Sequence, residues 1–83
     1  MNKRKLLENL ENSQKNVRYG DFVMLIKAFG FKRTRNEGSH EIYRRKGVAE
    51  IVNIQSSKGN AKPYQIRQFL SLIEIYDLRL EED

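Results

Sequence analysis

The stretch GFKRTRNEGSHEIYRRKGVAEIVNIQ, residues 30–55, decides the fold of this 83-residue chain. Two β-tolerant runs, residues 31–36 and 39–45, are separated by Glu37-Gly38, which is a hairpin signal. Lys46-Gly47 marks a second turn, and residues 48–55, rich in valine and isoleucine, are the most strand-like run of all. Strands joined by such short turns pair in antiparallel fashion. The stretch therefore predicts a three-stranded antiparallel meander.

Helical patterns flank this meander on both sides. Leucines line one face of residues 3–12, and a second helix, starting between residues 17 and 20, ends at the natural cap Gly30. Residues 56–62 are predicted to be a polar loop, after which Pro63 stands where a helix favours its first residue. The apolar positions at helical spacing are Phe22, Leu25, Ile26 and Phe29 in the second helix, and Ile66, Phe69, Leu70 and Ile73 in the last.

These elements predict one α+β domain over residues 1–83. A three-stranded antiparallel sheet can carry helices on one face and leave its other face in water. Within the domain, residues 3–12 are expected to form an extra N-terminal helix, residues 17–76 the core, and residues 77–83 an acidic tail. The sequence has no cysteine, no signal-peptide pattern and no apolar run near the roughly 20 residues that span a bilayer, so a cytoplasmic location is expected.

Positive charge is concentrated around the predicted hairpin. The chain has a formal net charge of +5, and residues 32–46 hold six basic and two acidic side chains. Residues 74–83, by contrast, hold five acidic side chains and one arginine. A basic stretch of this kind is typical of proteins that bind a polyanion such as nucleic acid. A solvated surface that only keeps the protein in solution is the alternative.

His40, the only histidine, comes just after the predicted hairpin turn. Histidine titrates near neutrality, so it can take a proton from a 2′-hydroxyl of RNA or give one to the leaving oxygen. Arginines of the hairpin and Lys62 could stabilise the charge that develops on the phosphate. His40 is therefore a candidate catalytic residue, and from its position alone a surface histidine without a chemical role is the more common alternative.

No pattern in the sequence indicates a metal or a cofactor. Hydrolysis by a bound metal needs a cluster of carboxylates or imidazoles. Glu37, Glu41 and Glu50 are scattered among cations, there is no second histidine, and no glycine-rich phosphate-binding loop is present. We therefore expect chemistry that needs neither a metal nor a cofactor.

Several short motifs, in order and at matching spacing, resemble those of the HicA family of bacterial toxins. They are Gly30-Phe31, Arg35, Gly38-Ser39-His40, Ile42-Tyr43-Arg44 and Lys62-Pro63. The resemblance runs over about residues 17–76 and implies an α-β-β-β-α fold similar to that of double-stranded-RNA-binding domains. It also implies cleavage of mRNA without a metal, with the histidine of the GSH motif, here His40, as the catalytic residue. A HicB-type antitoxin is the implied partner.

Two positions depart from the family pattern. Many relatives end the third strand with a further histidine, where this chain has Asn53-Ile54-Gln55. The glycine that follows Lys-Pro in the family is Tyr64 here. The resemblance therefore leaves the general acid that would work with His40 unassigned.

Two functions fit these observations. The first is an RNA endonuclease toxin with His40 as the catalytic residue, whose expected RNA contacts are Arg33, Arg35, Ser39, Arg44, Lys58 and Lys62. The second is a non-catalytic module that binds double-stranded RNA, with the basic start of the last helix on the phosphates of a groove. The toxin hypothesis also predicts an acidic antitoxin surface that covers the hairpin.

Overall fold

The computed structural model describes residues 2–81, which form three helices and four strands. Helices α1 (Lys3–Asn12) and α2 (Tyr19–Ala28) come first in the chain. Strands β1 (Lys32–Glu37), β2 (His40–Arg44), β3 (Val52–Ser57) and β4 (Asn60–Ala61) follow, and α3 (Pro63–Tyr76) comes last. The predicted α+β class and the predicted helices are confirmed. Within residues 2–81, no helix is long and apolar enough to cross a membrane.

The sheet has four strands, so the prediction of three is wrong. All neighbours are antiparallel, in the order β1-β2-β3-β4. The predicted loop over residues 56–62 contains the end of β3 and the whole of β4. Lys58 and Gly59 both adopt positive φ values, 53° and 83°, and this conformation closes a tight two-residue hairpin turn. The short, polar strand after that turn has a loop-like composition, which is why the sequence pattern did not reveal it.

Strand β3 begins at Val52 instead of at Val48 as predicted. Gly47 has a φ of 89°, and the N–H of Val48 donates to the Arg45 carbonyl, so the chain is still turning there. Tyr76 then holds the following segment, because its hydroxyl accepts from the N–H of Ala49 and donates to the Glu50 carboxylate. Val48 is buried as a loop side chain and not as a strand residue.

The core lies between one face of the sheet and the helices. Phe69 of α3 stands at its centre, with ring centroids 5.5–5.8 Å from those of Phe22, Phe29 and Phe31 in edge-to-face geometry. Helix α1 packs onto this same core through Leu6 and Leu10. The remaining buried side chains of the cluster are Leu25, Ile26, Tyr43, Val48, Val52, Ile54, Ala61, Ile66 and Leu72.

The segment after α3 is docked through residue 81. Asp77 has a left-handed backbone with a φ of 50°, and the N–H of Leu78 turns back to the Ile73 carbonyl. Leu78 and Leu80 pack, partly buried, against the core, and the N–H of Glu81 donates to the Ala28 carbonyl at 2.7 Å. The acidic tail predicted over residues 77–83 thus includes apolar anchors, while residues 82–83 lie outside the described residues.

Candidate active site

The sheet has one face against the helices and a second face away from them. Residues of β2 and β3 alternate between the two, because successive side chains of a strand point to opposite sides. Tyr43, Val52 and Ile54 lie on the face that packs against the helices, called the helix side below. The other side, called the open face below, carries His40, Ile42, Asn53 and Gln55.

His40 begins β2 and is half-buried on the open face. Its cross-strand neighbours are Glu37 on β1 and Gln55 on β3. Ring atom Nδ1 is 2.8 Å from Oδ1 of Asn53, which stands diagonally across on β3. The imidazole is therefore held by a side chain of the neighbouring strand and does not turn freely in solvent.

A hydrogen-bonded row of side chains runs beside His40. Gln55 donates from Nε2 to Oγ of Ser39, and its Oε1 accepts from Nζ of Lys62 at 2.6 Å. The backbone N–H of Gln55 donates to Oε1 of buried Gln65 at 3.1 Å, which ties this part of β3 to α3. The row brings Ser39 and Lys62, two of the predicted RNA contacts, to the strand position that pairs with His40.

A β-bulge at Thr34 separates Arg33 from Arg35. Arg33 pairs with Tyr43 and Arg35 pairs with Ile42, so the register shifts between the two arginines. On a regular strand, residues two apart share a face. Here Arg33 joins the helix side and Arg35 the open face. Arg33 is therefore not among the cations that surround His40, contrary to the expectation from the sequence.

Glu41 is the centre of a polar cluster on the helix side. Its carboxylate accepts from the hydroxyls of Tyr19 at 2.6 Å and Tyr43 at 3.2 Å, and lies 3.5 Å from the Arg33 guanidinium. Burial, together with the Glu41 charge, raises the pKa of Tyr43 to about 12 and also raises the pKa of Tyr19. Both tyrosines therefore remain protonated donors. The cluster joins α2 to β2, and its ion pair holds the Arg33 side chain on the helix side.

Two arginines stand on the open face. Arg35 makes an exposed ion pair with Glu37, with 2.7 Å between nitrogen and oxygen. Arg44 lies at the far end of β2, about 13 Å from His40 at the usual strand rise. Ile42 lies between them on the same strand face and is buried, with 1% of its surface exposed. The open face thus combines two arginines with a histidine and a buried apolar side chain.

Lys58 lies apart from His40, in the turn between β3 and β4. With Lys15 and Lys62 it lines an open groove of about 420 Å³ between the α1–α2 linker and the start of α3. Lys62 therefore contributes to the groove as well as to the row beside His40. Lys15 was not predicted as a site residue, because it is far from the hairpin in the chain.

Carboxylates do not gather around His40. Glu37 is paired with Arg35, and Glu41 belongs to the helix side. Glu50 accepts a hydrogen bond from Tyr76. Among residues 2–81, no group of three or more histidine, cysteine or acidic side chains is placed to hold a metal ion.

Asn53 and Gln55 are site residues that the sequence reasoning missed. Their signal was the alternation of polar and apolar residues in Val52-Asn53-Ile54-Gln55, which places both polar side chains on one face of a strand. The resemblance described above concerned only a histidine expected in this segment, so it assigned no role to Asn53 or Gln55.

Comparison with known proteins relates this chain to a described toxin family. The family model described as the HicA toxin of bacterial toxin–antitoxin systems matches residues 19–75, which run from the first residue of α2 almost to the end of α3. Neither the search of curated proteins nor the search of solved structures gave a match. The matched range contains the whole sheet and the open face with His40.

Proposed function

We propose that this chain, which belongs to the HicA family of toxins from bacterial toxin–antitoxin systems, is an RNA endonuclease. His40 is its proposed catalytic residue. One observation supports this most strongly: the single histidine of the chain stands on the open face, oriented by Asn53 and beside the row that ends in Lys62. The proposed substrate is mRNA in the cytoplasm. RNA cleavage by the protein and by its His40→Ala variant tests the assignment.

The proposed reaction uses the RNA's own 2′-hydroxyl as the nucleophile. His40 takes the proton of this hydroxyl while its oxygen attacks the adjacent phosphorus. The bond from phosphorus to the 5′ oxygen of the next nucleotide breaks, and that oxygen takes a proton from water. The products are a 2′,3′-cyclic phosphate and a 5′-hydroxyl. Such a step needs an imidazole and positive charge but no metal-bound water.

Lys62 and Arg35 are the proposed cations for the reacting phosphate. They stand on either side of β2 and β3 on the open face, so a backbone that crosses His40 passes both. Gln55 holds the Lys62 ammonium in place, which limits the reorganisation needed when negative charge develops on the phosphate. The Ser39 hydroxyl offers a further contact, and Arg44 and Lys58 extend the proposed RNA path in opposite directions.

An antitoxin is the partner that toxin-family membership implies. We propose that it is a HicB-type protein that covers the open face. An acidic surface over Arg35, Arg44 and Lys62 would exclude RNA, because it would occupy the same charges and the same space. Charge complementarity of this kind also speeds association at low salt.

Arg35→Ala is expected to reduce the salt dependence of RNA binding, and Arg33→Ala to leave it unchanged. Each phosphate contact contributes about 0.7 to the log–log slope of affinity against salt for single strands. Loss of the open-face arginine should therefore flatten the slope by about that amount. Fluorescence anisotropy with a labelled 2′-O-methyl RNA, which cannot be cut by the proposed reaction, measures the slope.

The two substitutions are a matched pair. Both remove an arginine from the same strand, two positions apart, but the bulge at Thr34 places the side chains on opposite faces. Arg33 also makes only a partly exposed ion pair, whose loss costs roughly 0–1 kcal/mol. Equal flattening by both variants, or by Arg33→Ala alone, would contradict the proposed RNA surface.

A further inference from the structure

Asn53 and His40 are joined by a direct side-chain contact on the open face. Asn53 Oδ1 lies 2.8 Å from His40 Nδ1. The two residues are diagonal neighbours on paired strands, because His40 pairs with Gln55 and Asn53 pairs with Ile42. Both ends of the contact are therefore fixed by the ladder between β2 and β3, not by a loop.

An amide carbonyl oxygen only accepts hydrogen bonds, so the nitrogen that faces it must carry the hydrogen. A neutral imidazole carries one hydrogen, and the other nitrogen then presents a lone pair. With Nδ1 as the donor to Asn53, the lone pair of His40 is on Nε2. After Nε2 takes a proton, Nδ1 still donates to Asn53, so the contact persists in both protonation states.

We infer that Asn53 is a positioning residue, which holds His40 in its Nδ1–H form and so assigns proton transfer with RNA to Nε2. The inference rests on the proposed ribonuclease function. Asn53 itself does not exchange a proton, because an amide does not titrate in this range.

An amide is better suited than a carboxylate to orient an imidazole that acts as a base. An ionised carboxylate beside an imidazole favours the imidazolium, which cannot accept a proton. An amide fixes the ring without adding charge. Glu37 makes an exposed ion pair with Arg35, and the charged side chains on this face are Glu37, Arg35, Arg44, Lys32 and Lys62. Asn53 therefore orients the ring without itself adding to these charges.

Nitrogen NMR of the full chain, labelled with ¹⁵N-histidine, tests the inference directly. The protein has one histidine, so the two ring nitrogens give an unambiguous pair of signals. For the neutral ring, we expect a pyrrole-type shift for Nδ1 and a pyridine-type shift for Nε2. In Asn53→Ala the Nε2–H form should become populated. A wild-type ring already in the Nε2–H form, or nitrogen shifts unchanged in Asn53→Ala, would overturn the inference.

Cleavage kinetics distinguish a positioning role of Asn53 from a purely structural one, because only the first predicts specific changes in kcat and in the pH dependence of the rate. Asn53→Ala is expected to lower kcat by about 10- to 100-fold through misorientation of the base, with little change in KM. Asn53→Asp keeps an acceptor for Nδ1, so it should restore the Nδ1–H form. It should also move the pH of half-maximal rate upward, because its charge favours the imidazolium. A rise in KM without a loss of kcat in Asn53→Ala would contradict a positioning role.

Asn36→Ala is the matched control. Asn36 is an exposed asparagine on the adjacent strand β1, and it pairs with Glu41, whose side chain lies on the helix side. This variant should leave the ring nitrogen shifts and kcat unchanged. If the wild-type protein cuts no RNA, the ribonuclease proposal fails, whereas the nitrogen shifts still decide whether Asn53 sets the ring form. The two failures are therefore distinguishable.

Discussion

Replacement of His40 by alanine is expected to reduce the rate of RNA cleavage by about 10²- to 10⁴-fold, the range that general acid–base catalysis contributes. The described residues offer no second imidazole, and the nearest carboxylate on β1, Glu37, is paired with Arg35. No second imidazole is thus available to take over the proton transfer. Growth arrest on induction of the protein alone should disappear with the same substitution.

The fold of His40→Ala should stay intact. His40 lies outside the aromatic core, at the start of a strand, and its side chain makes one hydrogen bond to Asn53. Its loss should change the free energy of unfolding by no more than about 1–1.5 kcal/mol. Circular dichroism and thermal unfolding check this, with Asn36→Ala, an exposed substitution on the neighbouring strand, as a control. Undiminished cleavage by a folded His40→Ala protein would end the proposed mechanism, and RNA binding without cleavage by the wild-type protein would favour a binding module.

A single 2′-deoxy nucleotide on the 5′ side of the scissile phosphate is expected to abolish cleavage at that phosphate. The proposed nucleophile is the 2′-hydroxyl, and its removal leaves His40 with no proton to take. The measurement uses a short RNA with one mapped cleavage position, resolved by gel electrophoresis, under conditions in which the unmodified strand is cut to completion.

The control for this substrate carries the 2′-deoxy sugar at the next nucleotide towards the 3′ end. That strand keeps the nucleophile and should be cut at the normal rate apart from small binding effects. Efficient cleavage next to the missing 2′-hydroxyl would mean that an external water attacks the phosphorus. The role assigned to His40 would then need a different nucleophile.

The helices and the core were predictable because their signals are local. Phe22, Leu25, Ile26 and Phe29 recur at helical spacing, and all four are buried. Gly30 follows α2 with a φ of 89°, a left-handed conformation that suits glycine after a helix. The proposal of His40 as the catalytic residue likewise rests on its type and its motif, and the variants described above test it.

The details that define the site depend on pairing between strands, which a single sequence does not display. The bulge at Thr34 sends Arg33 to the helix side, and nothing in the run of basic residues indicates it. Strand β4 has only two residues and takes its place through pairing with Ser56 and Ser57. The contact of Asn53 with His40 spans 13 residues of chain and exists only in the register that joins β2 to β3.

The chemical nature of the cut ends tests the central claim, that His40 activates the RNA's own 2′-hydroxyl without a metal, most directly. Purified protein in excess EDTA is incubated with a defined RNA, and both fragments are identified by mass spectrometry. The proposed reaction leaves a 2′,3′-cyclic phosphate, or its ring-opened monophosphate, on the upstream fragment and a 5′-hydroxyl on the downstream fragment. A 3′-hydroxyl with a 5′-phosphate, or cleavage that stops in EDTA and returns with a divalent ion, would contradict it.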